Sequence, residues 1–225
     1  MTKAEQYTFV TSLLGGYQMD TTLFDTFLGI AKNTVEGLRP WVKLRTVDTS
    51  QTVSASGSYL TAKALPSDFR KWYDLENAIV LSTASQQIPY VEIPISQRLR
   101  YRDYMGRFYA DYTNNQFYIC GPVSGSFTAN LNYIRSSAAL SADSDTWEFP
   151  SEYHPILGLY VAGFWKSGVD YDPINKPQAD EHSRLANVIY TSMVKWDGDL
   201  QSSQTRGLDP FGTLPVPGTV GSLIS

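Results

Sequence analysis

The sequence predicts an α+β fold in which N-terminal and C-terminal helices form a bundle, an antiparallel β domain is inserted between them, and an extended arm follows. Apolar residues recur at helical spacing towards both ends of the chain. Short runs rich in β-branched and aromatic residues fill the middle. The predicted helical domain comprises residues 1–41 and 147–200, the β-rich insertion residues 42–146, and the arm residues 201–225.

Two helices are predicted before the insertion. The first ends at Gly15-Gly16, and the second spans residues 20–38, with Asp20 as its N-cap and Pro40 just beyond its end. Each helix has one apolar face. The first face is formed by Phe9, Val10, Leu13 and Leu14, and the second by Leu23, Phe24, Phe27, Leu28, Ala31, Val35 and Leu38.

The insertion has the composition of short strands. The runs are VKLRTV, TVSASGSYLTA, NAIVLSTA and IPYVEIPI, all interrupted by Ser, Gly or Pro. Residues 107–135 predict a three-stranded antiparallel meander, because alternating aromatic runs flank TNNQ and GPVSG turns. Residues 95–106 show no single helical face, and we expect a helical or irregular excursion there.

The stretch TWEFPSEYHPILGLYVAGFW, residues 146–165, predicts the return to helix. Ser151 is the expected N-cap, and Pro155 falls in the first turn, where a missing N–H is tolerated. His154 lies off the apolar stripe and is expected to be exposed or at an interface. A second helix is expected to complete an αα-hairpin. The two stripes are Tyr153, Ile156, Leu157, Tyr160, Val161 and Phe164, and then His182, Leu185, Ala186, Ile189, Tyr190 and Met193.

The composition excludes several classes of protein. The net charge is −4 and the pI about 5.2, which argues against broad non-specific DNA binding. A single cysteine, Cys120, cannot close an intrachain disulfide. The longest nearly apolar run, residues 156–165, is too short to span a membrane. We therefore expect a product made in the cytoplasm, without a membrane anchor.

The sequence offers no catalytic, cofactor-binding or metal-binding residues. Cys120 lies in an alternating strand run and is expected to be a buried, inert thiol. The segment DYDPINKPQADE begins like a calcium loop but has Ile174 and Asn175 where a ligand and a glycine are needed. A hydrolase built on Glu148, Glu152 and His154 would have too few partners. We expect a protein that is not an enzyme and has no cofactor.

Two segments are candidates for an interface with other subunits or with a partner protein. Arg98, Arg100 and Arg102 form a local basic cluster, for which protein contacts, a solvated face and nucleic-acid contact remain open. The arm carries spaced apolar residues that could dock on a partner, or it could be a terminus with incidental apolar residues. Those residues are Leu208, Phe211, Leu214, Val216, Val220, Leu223 and Ile224.

Four stretches in this order resemble head–tail adaptor, or neck, proteins of tailed bacteriophages, of the short-tailed-phage type. They are MDTTLFDTFLGIAKNTVEGLRPWVKLR, then YLTAKALPSDFRKWYDL with its Leu65-Pro66-x-Asp68-Phe69 step between strands, then residues 146–165, and finally MVKWDGDLQ. The resemblance covers most of residues 1–200.

The resemblance implies a structural protein of the virion, made in the host cytoplasm. It implies a ring of about twelve copies below the portal protein. This ring would extend the DNA channel without sequence-specific binding and would offer a platform for a tail or nozzle protein. The alternative is a non-catalytic ligand- or carbohydrate-binding module displayed on a phage particle. Its contact aromatics would be Tyr101, Tyr104, Phe108, Tyr109 and Tyr112.

Overall fold

A computed structural model describes residues 1–54, 60–169 and 176–206. They contain four α-helices and an eight-stranded sheet, which confirms the α+β class. The chain forms two compact units, one comprising residues 1–35 and the described residues from 139 on, the other residues 36–138. The bundle arrangement and the domain boundaries given above stay predictions.

The helical unit is built from elements α1 (Lys3–Leu13), α2 (Thr21–Gly37), α3 (Pro155–Phe164) and α4 (Lys176–Arg206). The last two residues of α2 belong to the other unit. Because α4 continues through Arg206, residues 201–206 are helical and not extended as expected. The rest of the predicted arm lies outside the described residues.

Local signals determine where the first two helices begin and end. Thr2 and Glu5 form a capping box at the start of α1, and Gly15 and Gly16 end it with φ values of 70° and 92°. Asp20 caps α2, because its Oδ1 accepts hydrogen bonds from the backbone N–H groups two and three residues on, at 2.9 and 3.1 Å. Both predicted boundaries are confirmed.

Helix α3 lies at the centre of the helical unit and packs against α1 and α4. Its approach to α1 is close, since a methyl group on Gly158 would lie 2.6 Å from the Phe9 ring. The predicted stripe is buried or half-buried, but Leu159 and Ala162 on the other faces are buried as well. In α2 the prediction is wrong for Leu38, which is exposed just beyond the helix end.

The return to helix differs from the prediction in two respects. Residues Ser151–Tyr153 form a 3₁₀ turn without a side-chain cap, and α3 begins only at Pro155, so Ser151 is not its N-cap. His154 is 3% exposed, and the expectation that it is exposed or at an interface is wrong. The His154 Nε2 lies 2.7 Å from the carbonyl oxygen of Phe149. The side-chain amide of Gln6 donates a hydrogen bond to the backbone carbonyl of His154 at 2.7 Å. The imidazole also lies against the Met1 carbonyl oxygen, 3.0 Å from its Nδ1, and near the Trp147 ring, and spacing along a single helix cannot reveal these contacts.

The second unit contains the eight strands. They are β1 (Arg45–Ser54), β2 (Lys63–Ala64), β3 (Phe69–Trp72), β4 (Ile79–Ser82), β5 (Gln87–Glu92), β6 (Arg107–Asp111), β7 (Gln116–Ile119) and β8 (Ser126–Arg135). A 3₁₀ turn, Val42–Leu44, precedes β1 where strand was predicted. The Leu65-Pro66-x-Asp68-Phe69 step joins β2 to β3 as expected.

The strand order is β1-β8-β4-β5-β6-β7-β2, with β3 also paired to β8. All pairs are antiparallel except β5 with β6, so the sheet is mixed and not purely antiparallel as predicted. The first two strands of the predicted meander, β6 and β7, do pair. The third, β8, pairs instead with β1, β3 and β4, because the connection at residues 120–125 crosses to another part of the sheet.

The core of this unit is aromatic and aliphatic, with Tyr90, Phe108 and Phe117 fully buried. One buried charge lies beside it. Glu36 accepts from the Arg70 guanidinium at 3.2 Å, from the Ser137 hydroxyl, and from the Ser137 backbone N–H at 3.4 Å. The carboxylate thereby joins the first residues of the unit to its last.

Candidate functional site

The connection between β5 and β6, residues 95–106, combines exposed arginines with exposed large apolar side chains, and we call it the crossover loop. Parallel neighbours such as these strands need a crossing connection, because the chain must return to the end at which the first strand began. The loop begins with a 3₁₀ turn, Ile95–Gln97, and continues in turns, as predicted for this excursion. Its own backbone hydrogen bonds include Tyr101 N–H to Gln97 at 3.2 Å and Tyr104 N–H to Tyr101 at 3.1 Å.

Two contacts fix the loop to the sheet. Tyr101 packs against a small cluster formed by Ile93, Tyr109 and Cys120. The Gly121 N–H donates to the Arg102 carbonyl at 2.8 Å, with Gly121 at a φ of 75°. These contacts hold the middle of the loop against the sheet.

The three predicted arginines all lie on this loop, and all three are exposed. Arg98 donates to the Ile95 carbonyl at 3.3 Å, Arg100 lies over the Tyr101 ring at 5.6 Å, and the Arg102 Nε is 3.9 Å from Asp103. These weak, exposed contacts within the loop orient the guanidinium groups but leave them accessible to solvent.

Sequence reasoning named Tyr104 on the same surface, as a contact residue of the alternative function, but missed its other exposed apolar residues. Leu99 is 80% exposed, and Ile95, Tyr104 and Met105 are also exposed. Large apolar side chains grouped on a surface are typical of a binding site, whereas single ones are not. The available signal was the alternation of apolar residues with arginine in a segment that has no helical face.

A second exposed group of mixed character lies between β3 and β4, at residues 73–76, which we call the acidic turn. Leu75 is 65% exposed, and Tyr73 and Glu76 are exposed beside it. Asp74 accepts from the backbone N–H groups of Glu76 and Asn77 at 3.0 and 3.1 Å. The hydrogen bond from the Asn77 side chain is the main reason that the pKa of Asp74 is lowered, so this carboxyl is ionised at neutral pH.

The apolar residues of the predicted arm are not placed by the structure. Leu208, Phe211, Leu214, Val216, Val220, Leu223 and Ile224 all lie outside the described residues. Their part in an interface stays a prediction.

The aromatic residues proposed for a ligand-binding module do not form one exposed platform. Phe108 is fully buried in the core, and Tyr109 is buried and stacked on Tyr118. The Tyr112 hydroxyl donates to Glu92 and accepts from the Trp72 indole at 3.1 Å. Burial raises the pKa of Tyr112, and the Glu92 carboxylate raises it further.

Most side chains considered as a nucleophile or as metal ligands are buried or paired with a neighbour. No group of three or more His, Cys, Asp and Glu residues that could hold a metal is found within the part of the chain that the structure describes. Cys120 is fully buried, and burial raises the pKa of its thiol to about 11. Glu181 of the calcium-like segment is exposed and paired with Arg184 at 2.6 Å, while Asp170 and Asp172 fall outside the described residues.

None of the helices in the described ranges combines the length and the apolar character that crossing a membrane needs.

Most of the chain matches the model of a known protein family. The family model described as SU10 adaptor protein matches residues 10–205. The matched range includes most of the helical unit and all of the second unit, with the crossover loop and the acidic turn. No curated protein matches the chain.

Proposed function

The chain belongs to the SU10 adaptor protein family, which identifies it as a structural adaptor of a bacteriophage virion, and we propose that it is the head-to-tail adaptor. In this proposal about twelve copies form a ring below the portal protein of a short-tailed phage. The ring extends the DNA channel and provides the platform to which a tail or nozzle protein attaches. The protein is made in the host cytoplasm and acts without catalysis, cofactor or membrane.

The observation that carries the proposal is the extent of the family match. It covers residues 10–205, so both compact units and all four helices lie wholly or mostly within it. A fragment match would support only one part of the architecture, whereas this one supports the adaptor role for the whole assembly of helices and sheet.

Charge and surface support the same role. The chain has a net charge of −4, and an acidic channel wall makes few lasting contacts with DNA phosphates. DNA would therefore pass through the ring without sequence-specific binding. The exposed apolar residues and arginines of the crossover loop are typical of a surface that becomes covered in an assembly.

The interfaces proposed here have two parts. Arg98, Arg100 and Arg102 contact a neighbouring subunit or the portal, and so do the apolar residues between Leu208 and Ile224. A segment that orders only on docking loses conformational entropy at that moment, so the arm would join only when the portal supplies its surface.

The test is a mass measurement on the purified chain with and without the portal ring of the same phage. We expect the portal to gain about twelve copies. A second measurement uses phage particles made without this protein, which we expect to contain packaged heads that lack tails and to regain tails when the protein is supplied. Portal rings that gain no mass, together with normal tails on the particles, would refute the adaptor role.

The contribution of the arm is measured with a chain that lacks residues 207–225. We expect it to fold and to lose most of its portal binding. Unchanged portal binding would show that the arm does not dock there.

A further inference from the structure

The crossover loop and the acidic turn are complementary in charge and alike in their exposed apolar residues. The loop holds three arginines and one aspartate in a chain whose net charge is negative. The turn holds Asp74 and Glu76. Each carries one strongly exposed leucine at its centre, Leu99 in the loop and Leu75 in the turn.

The two surfaces lie at different places on the same unit. The loop ends at Gly106, directly before the first residue of β6. Tyr112 follows the last residue of β6 and lines the same hollow as Leu75, together with Arg70, Lys71, Trp72 and Glu92. The end of the loop therefore lies at the start of β6, whereas its beginning follows Glu92, the last residue of β5, close to this hollow.

Both surfaces are ordered before any partner arrives. The loop is fixed by Tyr101 and by the Gly121 contact, and the turn is fixed by the hydrogen bonds that Asp74 accepts. Little conformational freedom would be lost on contact, which favours association of even a small surface.

We propose that the crossover loop of one copy binds the acidic turn of a second copy, with Leu99 beside Leu75 and the arginines beside Asp74 and Glu76. This inference rests on the proposed function, because it assigns the contact that joins neighbours in the ring. The contact is heterologous, since the loop meets a turn and not another loop. Heterologous contacts form closed rings when the rotation between neighbours returns to its start.

A protein occupant fits this surface better than DNA does. Arginine alone would suit phosphate. Leu99, however, is 80% exposed, and a phosphate backbone would offer it no apolar contact, whereas an apolar side chain of a protein partner would bury it. The acidic turn supplies both the apolar side chain and the opposite charge.

Cysteine trapping tests the contact directly. The single native cysteine, Cys120, is buried, so cysteines placed on the surface are the reactive ones. We expect an equimolar mixture of L99C and L75C chains to form a disulfide-linked dimer roughly tenfold faster than collision allows, because the contact raises the effective concentration of the two thiols. The matched control pairs L99C with V47C. Val47 is 51% exposed, compared with 65% for Leu75, and it lies on β1 of the same unit, away from the acidic turn in sequence.

Charge reversal then tests the pairing. When R100E and R102E are added to the L99C chain, its disulfide formation with the L75C chain should slow to the rate of the L99C–V47C control. Adding E76R to the L75C chain should restore it, because opposite charges face each other again. Asp74 is left unchanged because it holds the turn. Restoration by the second variant also shows that the first had not simply unfolded.

The outcomes separate this contact from the adaptor role. Trapping of L99C with L75C at the control rate would overturn the contact, even for a chain that adds to the portal ring. If such a chain retarded DNA and lost this on R100E and R102E substitution, the arginines would be assigned to phosphate. Fast, charge-dependent trapping by a chain that adds no mass to the portal and is not needed for tails would leave the contact standing and refute the adaptor role.

Discussion

Gly121 lies so close to Met105 that a methyl group on its Cα would be 2.5 Å from the Met105 backbone nitrogen. Its φ of 75° is in the left-handed region, which disfavours other residues. Gly121→Ala should therefore push the crossover loop away from the sheet and slow the L99C–L75C trapping reaction. We expect the free energy of unfolding, measured by urea denaturation, to fall as well.

Gly106→Ala is the matched control for this substitution. Its φ of 81° is similar, but an added methyl would meet only the Pro89 carbonyl oxygen at an ordinary 3.5 Å. The unfolding free energy of Gly121→Ala should be lower than that of Gly106→Ala by about 1–3 kcal/mol, the cost of overpacking. Equal values would show that the close approach to Met105 has no energetic consequence.

Glu36→Ala should be the most destabilising single substitution of a charged residue in the β-sheet unit. Glu36 is fully buried, and its loss removes the acceptor for Arg70 and Ser137. Breaking a buried ion pair from one side costs about 3–5 kcal/mol. We place this case at the lower end, because Arg70 is partly exposed and can regain water. Urea denaturation followed by tryptophan fluorescence measures the change.

Asp180→Ala is the control for the buried pair. Asp180 also forms an ion pair, with Lys176 at 3.1 Å, but both side chains are about two-thirds exposed. Its removal should change the unfolding free energy little. A loss for Glu36→Ala no greater than that for Asp180→Ala would contradict the importance of burial.

His182 should make the chain less stable as the pH falls. Burial lowers the pKa of His182 in the folded state, and Lys166 lowers it further while Glu181 opposes this. The unfolded chain therefore binds a proton first, near the ordinary histidine pKa of about 6.5. Its contribution to stability is complete above that pH and is lost as the pH falls towards the lowered pKa of the folded state.

The measurement is the free energy of unfolding between pH 8 and pH 5 for the native chain and for His182→Leu. The substitution should reduce the slope of the unfolding free energy against pH in this range. It should not change the unfolding at lower pH that protonation of carboxylates causes. An identical slope in both proteins would show that His182 does not titrate differently on folding.

Cys120 should react very slowly with an aromatic disulfide reagent in the folded protein. Its thiol is buried, and with a pKa of about 11 only about 0.1% is thiolate at pH 8. In guanidinium chloride the same thiol should react within minutes. Rapid reaction of the native protein would contradict the buried position and would require a Cys120→Ala background for the trapping experiment.

Features set by neighbouring residues could be predicted from the sequence. Asp20 caps α2 through N–H groups two and three residues away, and Gly15 and Gly16 end α1 by their own conformation. The position of Pro155 in the first turn follows from its missing N–H. Each of these effects acts within one turn of chain.

Features set by distant contacts could not be predicted. His154 is buried by elements that are remote in sequence, such as Gln6 of α1. The ten residues of β8 are recognisable as a strand, but their alternating pattern fits several partners equally well. At the candidate site the arginines were found by their charge, whereas the exposure of Leu99 depends on how the loop is fixed to the sheet.

The Glu36–Ser137 hydrogen bonds have a consequence for the order in which the chain folds during synthesis. They join the point where the chain enters the β-sheet unit to the point where it leaves, and β1 and β8 pair beside them. Residues 36–138 can thus fold as soon as β8 has emerged from the ribosome. Residues 35 and 139 are then brought near each other before α3 has left the ribosome. The entropy of closing a loop rises with its length, so the early folding of the insertion shortens the loop that α1 and α3 must close. A nascent chain stalled with residue 138 just outside the ribosome would already hold residues 35 and 139 near each other.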